Sequence, residues 1–129
     1  MTSTMLRRGF LFVALALVLV SVLIPAEWIG ILRHRWWWFT YPLDHIENAK
    51  SVVNLVHAIL FLLLGIGIHL ALPDWRLGRV AVALLLLGVA TELAQLLVPG
   101  RHVRLSDVLV DVVAGILGWA AMRRLALLR

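Results

Sequence analysis

Four apolar runs divide the chain, each bounded by residues that start or stop helices. The first, 9–24, follows Arg7 and Arg8 and stops at Pro25. Those flanks fit a signal peptide, yet the residues after Ile24 offer no clean A-x-A cleavage site and three more apolar runs follow, so an uncleaved span is expected. Sixteen residues rise about 24 Å as a helix against a hydrocarbon core of ~30 Å, so this span must borrow Met5, Leu6 or residues past Pro25. From His45 no strong breaker occurs before Pro73, and Asp44 with Glu47 three residues on resembles a capping box; the second helix is expected to start at the interface and enter the membrane near Ser51. The turn Pro73-Asp74-Trp75-Arg76-Leu77-Gly78 precedes the third run, which Pro99 and Gly100 end. Residues 99–105 form a tight basic loop, and Ser106 or Asp107 is expected to cap the fourth helix.

The pattern therefore predicts an all-α architecture: a small integral membrane bundle of four transmembrane helices near 6–25, 50–72, 79–98 and 106–122, in a single domain over 1–129. The longest connection, 25–44, carries Trp28, Trp36, Trp37, Trp38, Phe39 and Tyr41. Clustered Trp and Tyr favour the headgroup layer, where the ring is apolar and the N–H or O–H stays wet, so this segment is expected to be an interfacial aromatic loop.

Composition removes the soluble alternatives. Of 129 residues, 63% are apolar and 15% charged, with a mean hydropathy of +1.00, against roughly 45–50% apolar and ~25% charged for a soluble domain. Cysteine is absent, which excludes disulfides, thiolate chemistry and Cys-ligated metals. The net charge of +5 does not point to nucleic acid, because the basic residues fall in ones and twos between apolar runs and form no stripe. They read as membrane flanks. With the N-terminus inside, seven of the twelve Lys and Arg residues lie on the cytoplasmic side and five outside, so a multi-pass protein of the cell membrane with both termini cytoplasmic is expected.

Function must then come from polar residues that interrupt the spans. An ionisable group inside a membrane costs on the order of 2.5–3.5 kcal/mol on the insertion scale and is tolerated where it faces the bundle and pairs. Lys50, Asn54 and His57 recur at i, i+4, i+7 on one stripe; Glu92 and Gln95 are three apart, Asp107 and Asp111 four apart. Alternating spans bring the start of the second, the end of the third and the start of the fourth to one face, with Arg101 and Arg104 in the loop between. Asn54, His57, Glu92, Gln95, Arg101, Asp107 and Asp111 are therefore candidates for one outward-facing polar pocket. Each has a plainer explanation: Asn54 and His57 as interhelical hydrogen-bond partners worth ~0.6 kcal/mol, Asp107 as a cap. Glu92 and Asp111 are harder to explain away, since buried carboxylates need compensation, and Arg101 is the nearest cation in the sequence. His34, His69 and His102 are read as interfacial, without a role.

No metal or other cofactor is expected, because H-E-x-x-H is absent and one histidine with scattered carboxylates is unspecific. Ser106 lacks a nucleophile elbow, and no glycine loop for phosphate exists. Gly115 and Gly118, with Ala114, Ala120 and Ala121, give the last helix a small face for close packing, and an oligomer through that face is open.

Glu92-x-x-Gln95, Pro99-Gly100-Arg101, Ser106-Asp107, Asp111 and Ala114-Gly115-x-x-Gly118 together resemble the signature of VanZ-like membrane proteins, over roughly 48–122. Glu92, Gln95, Arg101 and Asp107 match the family's motif positions, while Asp111 stands at its usual Asn. His57 fits a family His, but Val53 and Asn54 stand where Asp and Lys are usual. The resemblance implies a cell-envelope membrane protein and a role of the kind that gives the family its name, low-level resistance to the lipidated glycopeptide teicoplanin. Partners implied are membrane lipids and a lipidated glycopeptide or cell-envelope precursor. Three functions remain open: a non-enzymatic binder of such an amphiphile, an intramembrane enzyme acting on a lipid headgroup with Glu92 or Asp111 as base, and a small proton-coupled transporter.

Overall fold

A computed structural model describes residues 3–35, 50–99 and 104–128, and every regular element among them is helical. They are α1 (Ser3–Leu23), α2 (Ala26–Arg35), α3 (Lys50–Ala71), α4 (Leu77–Gln95) and α5 (Leu105–Leu127). Three of them, α1, α4 and α5, are long and apolar enough to cross a membrane. The apolar part of α3 runs over Leu55–Ala71, within a helix of 22 residues that rises about 33 Å. The first span gains its length at the N-terminal end: α1 reaches back to Ser3 and takes in Arg7 and Arg8, giving 21 residues.

The connection after Pro25 is in part a helix. Proline cannot continue α1, because it lacks the amide hydrogen and its ring crowds the preceding turn. It can stand just before a new helix, and its carbonyl accepts a bond from the Trp28 N–H at 3.1 Å. Glu27 in the first turn of α2 and the His34-Arg35 end both suit the helix dipole. The expectation of a loop from residue 25 is thus corrected over Ala26–Arg35; the aromatic run 36–41 lies outside the described residues.

At its other end, α4 stops three residues short of the expected boundary. The Leu96, Leu97 and Val98 N–H groups donate to the carbonyls of Leu93, Ala94 and Gln95 at 3.0–3.2 Å, a tightened turn of i to i+3 bonds before Pro99. The start of α5 also differs from expectation. Arg104, extended at φ −140°, is the N-cap residue and makes no side-chain cap bond. Asp107 is the third helical residue, where its charge still favours the dipole, and neither it nor Ser106 is the cap.

Four helices close a ring in the order α1, α3, α5, α4, with α1 packed on both α3 and α4, and no packing between α1 and α5 among the described residues. Helices α3 and α5 run parallel, since Leu62 meets Gly118 and His57 meets Asp111, whereas α4 runs against α5, with Leu84 on Gly115 and Gly88 on Val108. The core between them contains Val18, Phe61, Leu64, Val80, Leu84 and Trp119. Outside, Leu86, Leu93, Val113 and Leu117 are more than half exposed, which suits a surface that faces lipid.

Glycines set the α3–α5 distance. A Cβ on Gly65 would strike the Gly115 carbonyl and come within 3.0 Å of the Trp119 nitrogen, and a Cβ on Gly118 would strike the Leu62 carbonyl. Two backbones thus meet directly. Lipid tails are as apolar as leucine, so close packing of this kind, and not burial from water, holds helices together in a bilayer. Gly115 and Gly118 of the last helix are covered within the chain by Leu84 and α3.

Candidate functional site

The parallel start of α3 and α5, and the end of α4, place the polar residues at one end of the bundle. His57 lies two turns into α3 and is 6% exposed; Asp111, two turns into α5, is 1% exposed. His57 Nδ1 and Asp111 Oδ2 are 3.5 Å apart, beyond an ordinary hydrogen bond and within ion-pair range when the imidazole is protonated. Parallel helices in backbone contact produce this meeting, because both residues stand about the same distance upstream of the glycine seam. His57 Nε2 is buried and has no hydrogen-bond partner among the described residues.

Glu92 is also buried, and its partner is a main-chain group. Its Oε2 accepts the Arg104 N–H at 3.0 Å. In a capping box the third helical residue reaches back to the N–H of the N-cap residue; at α5 a carboxylate from the preceding helix does so. The bond ties the end of α4 to the start of α5 across the loop. His57, Asp107 and Asp111 all lie within electrostatic range of the Glu92 carboxylate. Gln95, one turn further on, is buried as well, and Ser106 Oγ donates to Asp107 Oδ1 at 3.1 Å on the exposed rim.

Of the seven candidates, then, His57, Glu92, Asp107 and Asp111 gather at one end, with Gln95 buried on the same helix as Glu92. Arg101 and the side chain of Asn54 lie outside the described residues. Arg104, noted in the sequence only as a loop cation, contributes its amide. A backbone donor carries no residue-type signal, so nothing in the sequence pointed to it. No group of three or more His, Asp or Glu residues among the described ones is arranged to hold a metal ion.

Chemically, the cluster combines a carboxylate–imidazole pair, a second carboxylate fixed by an amide, and a buried primary amide. Such a set can accept and donate hydrogen bonds and carry a proton inside an apolar bundle. Helices of this length and apolarity around a buried ionisable cluster define a small helical membrane protein. The VanZ/LLP1 family model matches residues 4–128, nearly the whole chain, and the protein belongs to that family. The match extends beyond the 48–122 region of the motif to include α1. Comparison with curated proteins and with solved structures finds no match.

Proposed function

We propose that this VanZ/LLP1 protein binds the polar end of a membrane amphiphile in the cluster of His57, Glu92, Gln95, Asp107 and Asp111, completed by Asn54 and Arg101. Burial of His57 against Asp111 carries the reading. Buried ion pairs are often no more stabilising than apolar residues of the same volume, so a helical bundle has no packing reason to place them here. The ligand class is a lipid headgroup or the glycan and peptide face of a lipidated glycopeptide of the teicoplanin type. Hydroxyls and amides of such a ligand would meet His57 Nε2, which has no partner among the described residues, and the Gln95 amide.

All four long helices span the cell membrane in this reading, both termini are cytoplasmic, and the cluster opens outward. A reporter fused after Arg129 is expected to be cytoplasmic, and a tag between Gly100 and His102 accessible from outside. The opposite pattern would place the cluster in the inner leaflet and remove the extracellular glycopeptide from consideration. The function itself is tested by teicoplanin susceptibility and lipid composition of a strain lacking the protein, complemented by wild type or by Glu92→Gln. Glu92→Gln keeps an acceptor for the Arg104 amide, so the fold is expected to persist within about 1 kcal/mol while susceptibility rises toward that of the deletion. Susceptibility that follows Glu92 with unaltered lipids supports the binder.

One observation favours a second reading. A carboxylate facing one imidazole nitrogen, with the other unbonded among the described residues, is also the arrangement of a general base. His57 would then take a proton from water or a hydroxyl attacking a lipid headgroup, and lipid composition would change with His57→Gln. Unchanged lipids on that substitution count against it.

A further inference from the structure

The opposite end of the bundle carries a second set of polar groups, unconnected with the acidic cluster. His69 is in the last turn of α3, and Trp119 and Arg123 stand one turn apart on α5. The Arg123 guanidinium carbon lies 5.1 Å from the centre of the Trp119 ring. The His69 ring meets Trp119 edge-on, centroids 6.3 Å apart and planes at 78°. Trp119 is 4% exposed, and both its Nε1 and His69 Nδ1 are buried with no hydrogen-bond partner among the described residues. An indole placed there as a membrane-belt residue would face the headgroups with its N–H wet; this one is turned inward, and its N–H has no acceptor among the described residues.

Leaving a buried donor unsatisfied is costly, so these two nitrogens call for a hydrogen-bond partner. Indole nitrogen and guanidinium can only donate, and His69 Nδ1 donates when it carries the proton, so the group that suits all three is an acceptor. The surrounding charge makes it an anion. Arg7, Arg8, Arg76, Arg79 and Arg124 belong to this same end, because α1 runs against α3, with Phe10 and Leu11 on Gly67, and α4 begins here. Asp74 is the carboxylate there among the described residues.

We propose that His69, Trp119 and Arg123 form a binding site for a phosphate anion carried on a lipid headgroup, at the membrane face opposite the acidic cluster. Arg123, exposed on a long stem, closes over the indole and admits the phosphate between guanidinium and ring edge. Occupancy would bridge the ends of α3 and α5.

The test is thermal unfolding of the full chain in neutral detergent, titrated with phosphatidylglycerol, phosphatidylcholine or inorganic phosphate. Phosphatidylglycerol is expected to raise Tm by several degrees, and phosphatidylcholine, whose phosphate is paired with its own cation, much less. Arg123→Gln and Trp119→Phe, which keeps an aromatic ring and removes the N–H, are each expected to weaken the response about tenfold. Inorganic phosphate acting with the same residue dependence supports the site and identifies a free anion as its occupant. Equal stabilisation by both lipids, or a full response in Arg123→Gln, overturns the proposal. So does Trp119→Phe with lower stability and an unchanged lipid response, which would mean that the indole and His69 pair with each other. Should Trp119→Phe fail to fold, Arg123→Gln still decides, since that side chain is on the surface. Because none of these groups belongs to the acidic cluster, the outcome is independent of amphiphile binding there.

Discussion

Gly65→Leu and Gly118→Leu are expected to abolish assembly of the bundle, and Gly65→Ala and Gly118→Ala to cost at least the ~1–3 kcal/mol typical of an overpacked core. The obstacles are carbonyls of Gly115 and Leu62, main-chain atoms that cannot rotate away. To admit even a methyl group, α3 and α5 must separate along the whole seam, which also pulls His57 from Asp111. Gly9→Ala is the control: a Cβ there meets nothing within 4 Å, and replacing a helical glycine is expected to be neutral or to gain up to ~1 kcal/mol. Unfolding in mixed micelles, with resistance to protease, measures all five variants. Gly118→Ala as stable as wild type would show that α3 and α5 are not in backbone contact.

This seam also shows how far the sequence could be read. Glycines at 115 and 118 announce a close-packed face, but the face of a parallel neighbour two elements away cannot be seen in local periodicity, and Gly65 draws no attention alone. The polar cluster was legible because alternation of spans is a topological constraint: it puts the starts of the second and fourth runs and the end of the third together regardless of side-chain detail. What topology does not determine is pairing. Among the described residues, Glu92 accepts the amide of Arg104, a main-chain donor that no sequence pattern marks; Arg101, the counter-charge expected from its nearness in sequence, lies outside the described residues. Helix α2 was missed for a different reason. Its aromatic and basic residues suggest an interface, and interface location does not discriminate loop from helix; Pro25 followed by Ala26 and Glu27 was the available start signal. His69 looked interfacial, and only the packing of α3 on α5 brings it to Trp119.

The pairing of His57 with Asp111 makes a quantitative expectation possible. Removing one partner of a buried ion pair leaves the other uncompensated and costs about 3–5 kcal/mol, whereas interhelical hydrogen bonds in membrane bundles average ~0.6 kcal/mol. Asp111 is 1% exposed, and its Oδ2 has no hydrogen bond among the described residues. Among the described residues the group that faces Oδ2 is His57, and the ion-pair figure applies when the imidazole carries its proton. His57→Leu is expected to destabilise by about 3 kcal/mol or more, and the double variant His57→Leu with Asp111→Leu to recover most of that, so the coupling is on the order of 2–3 kcal/mol. A coupling at or below ~0.6 kcal/mol would sink the ion pair and leave a simple interhelical contact. The double variant also separates fold from function. Two leucines fill the space without charge and restore the bundle, yet they leave no imidazole or carboxylate to meet a polar ligand. If the cluster binds an amphiphile, cells that carry this stable double variant should be as teicoplanin-sensitive as the deletion strain; wild-type tolerance in a folded, abundant His57→Leu/Asp111→Leu protein would show that the pair serves the fold alone.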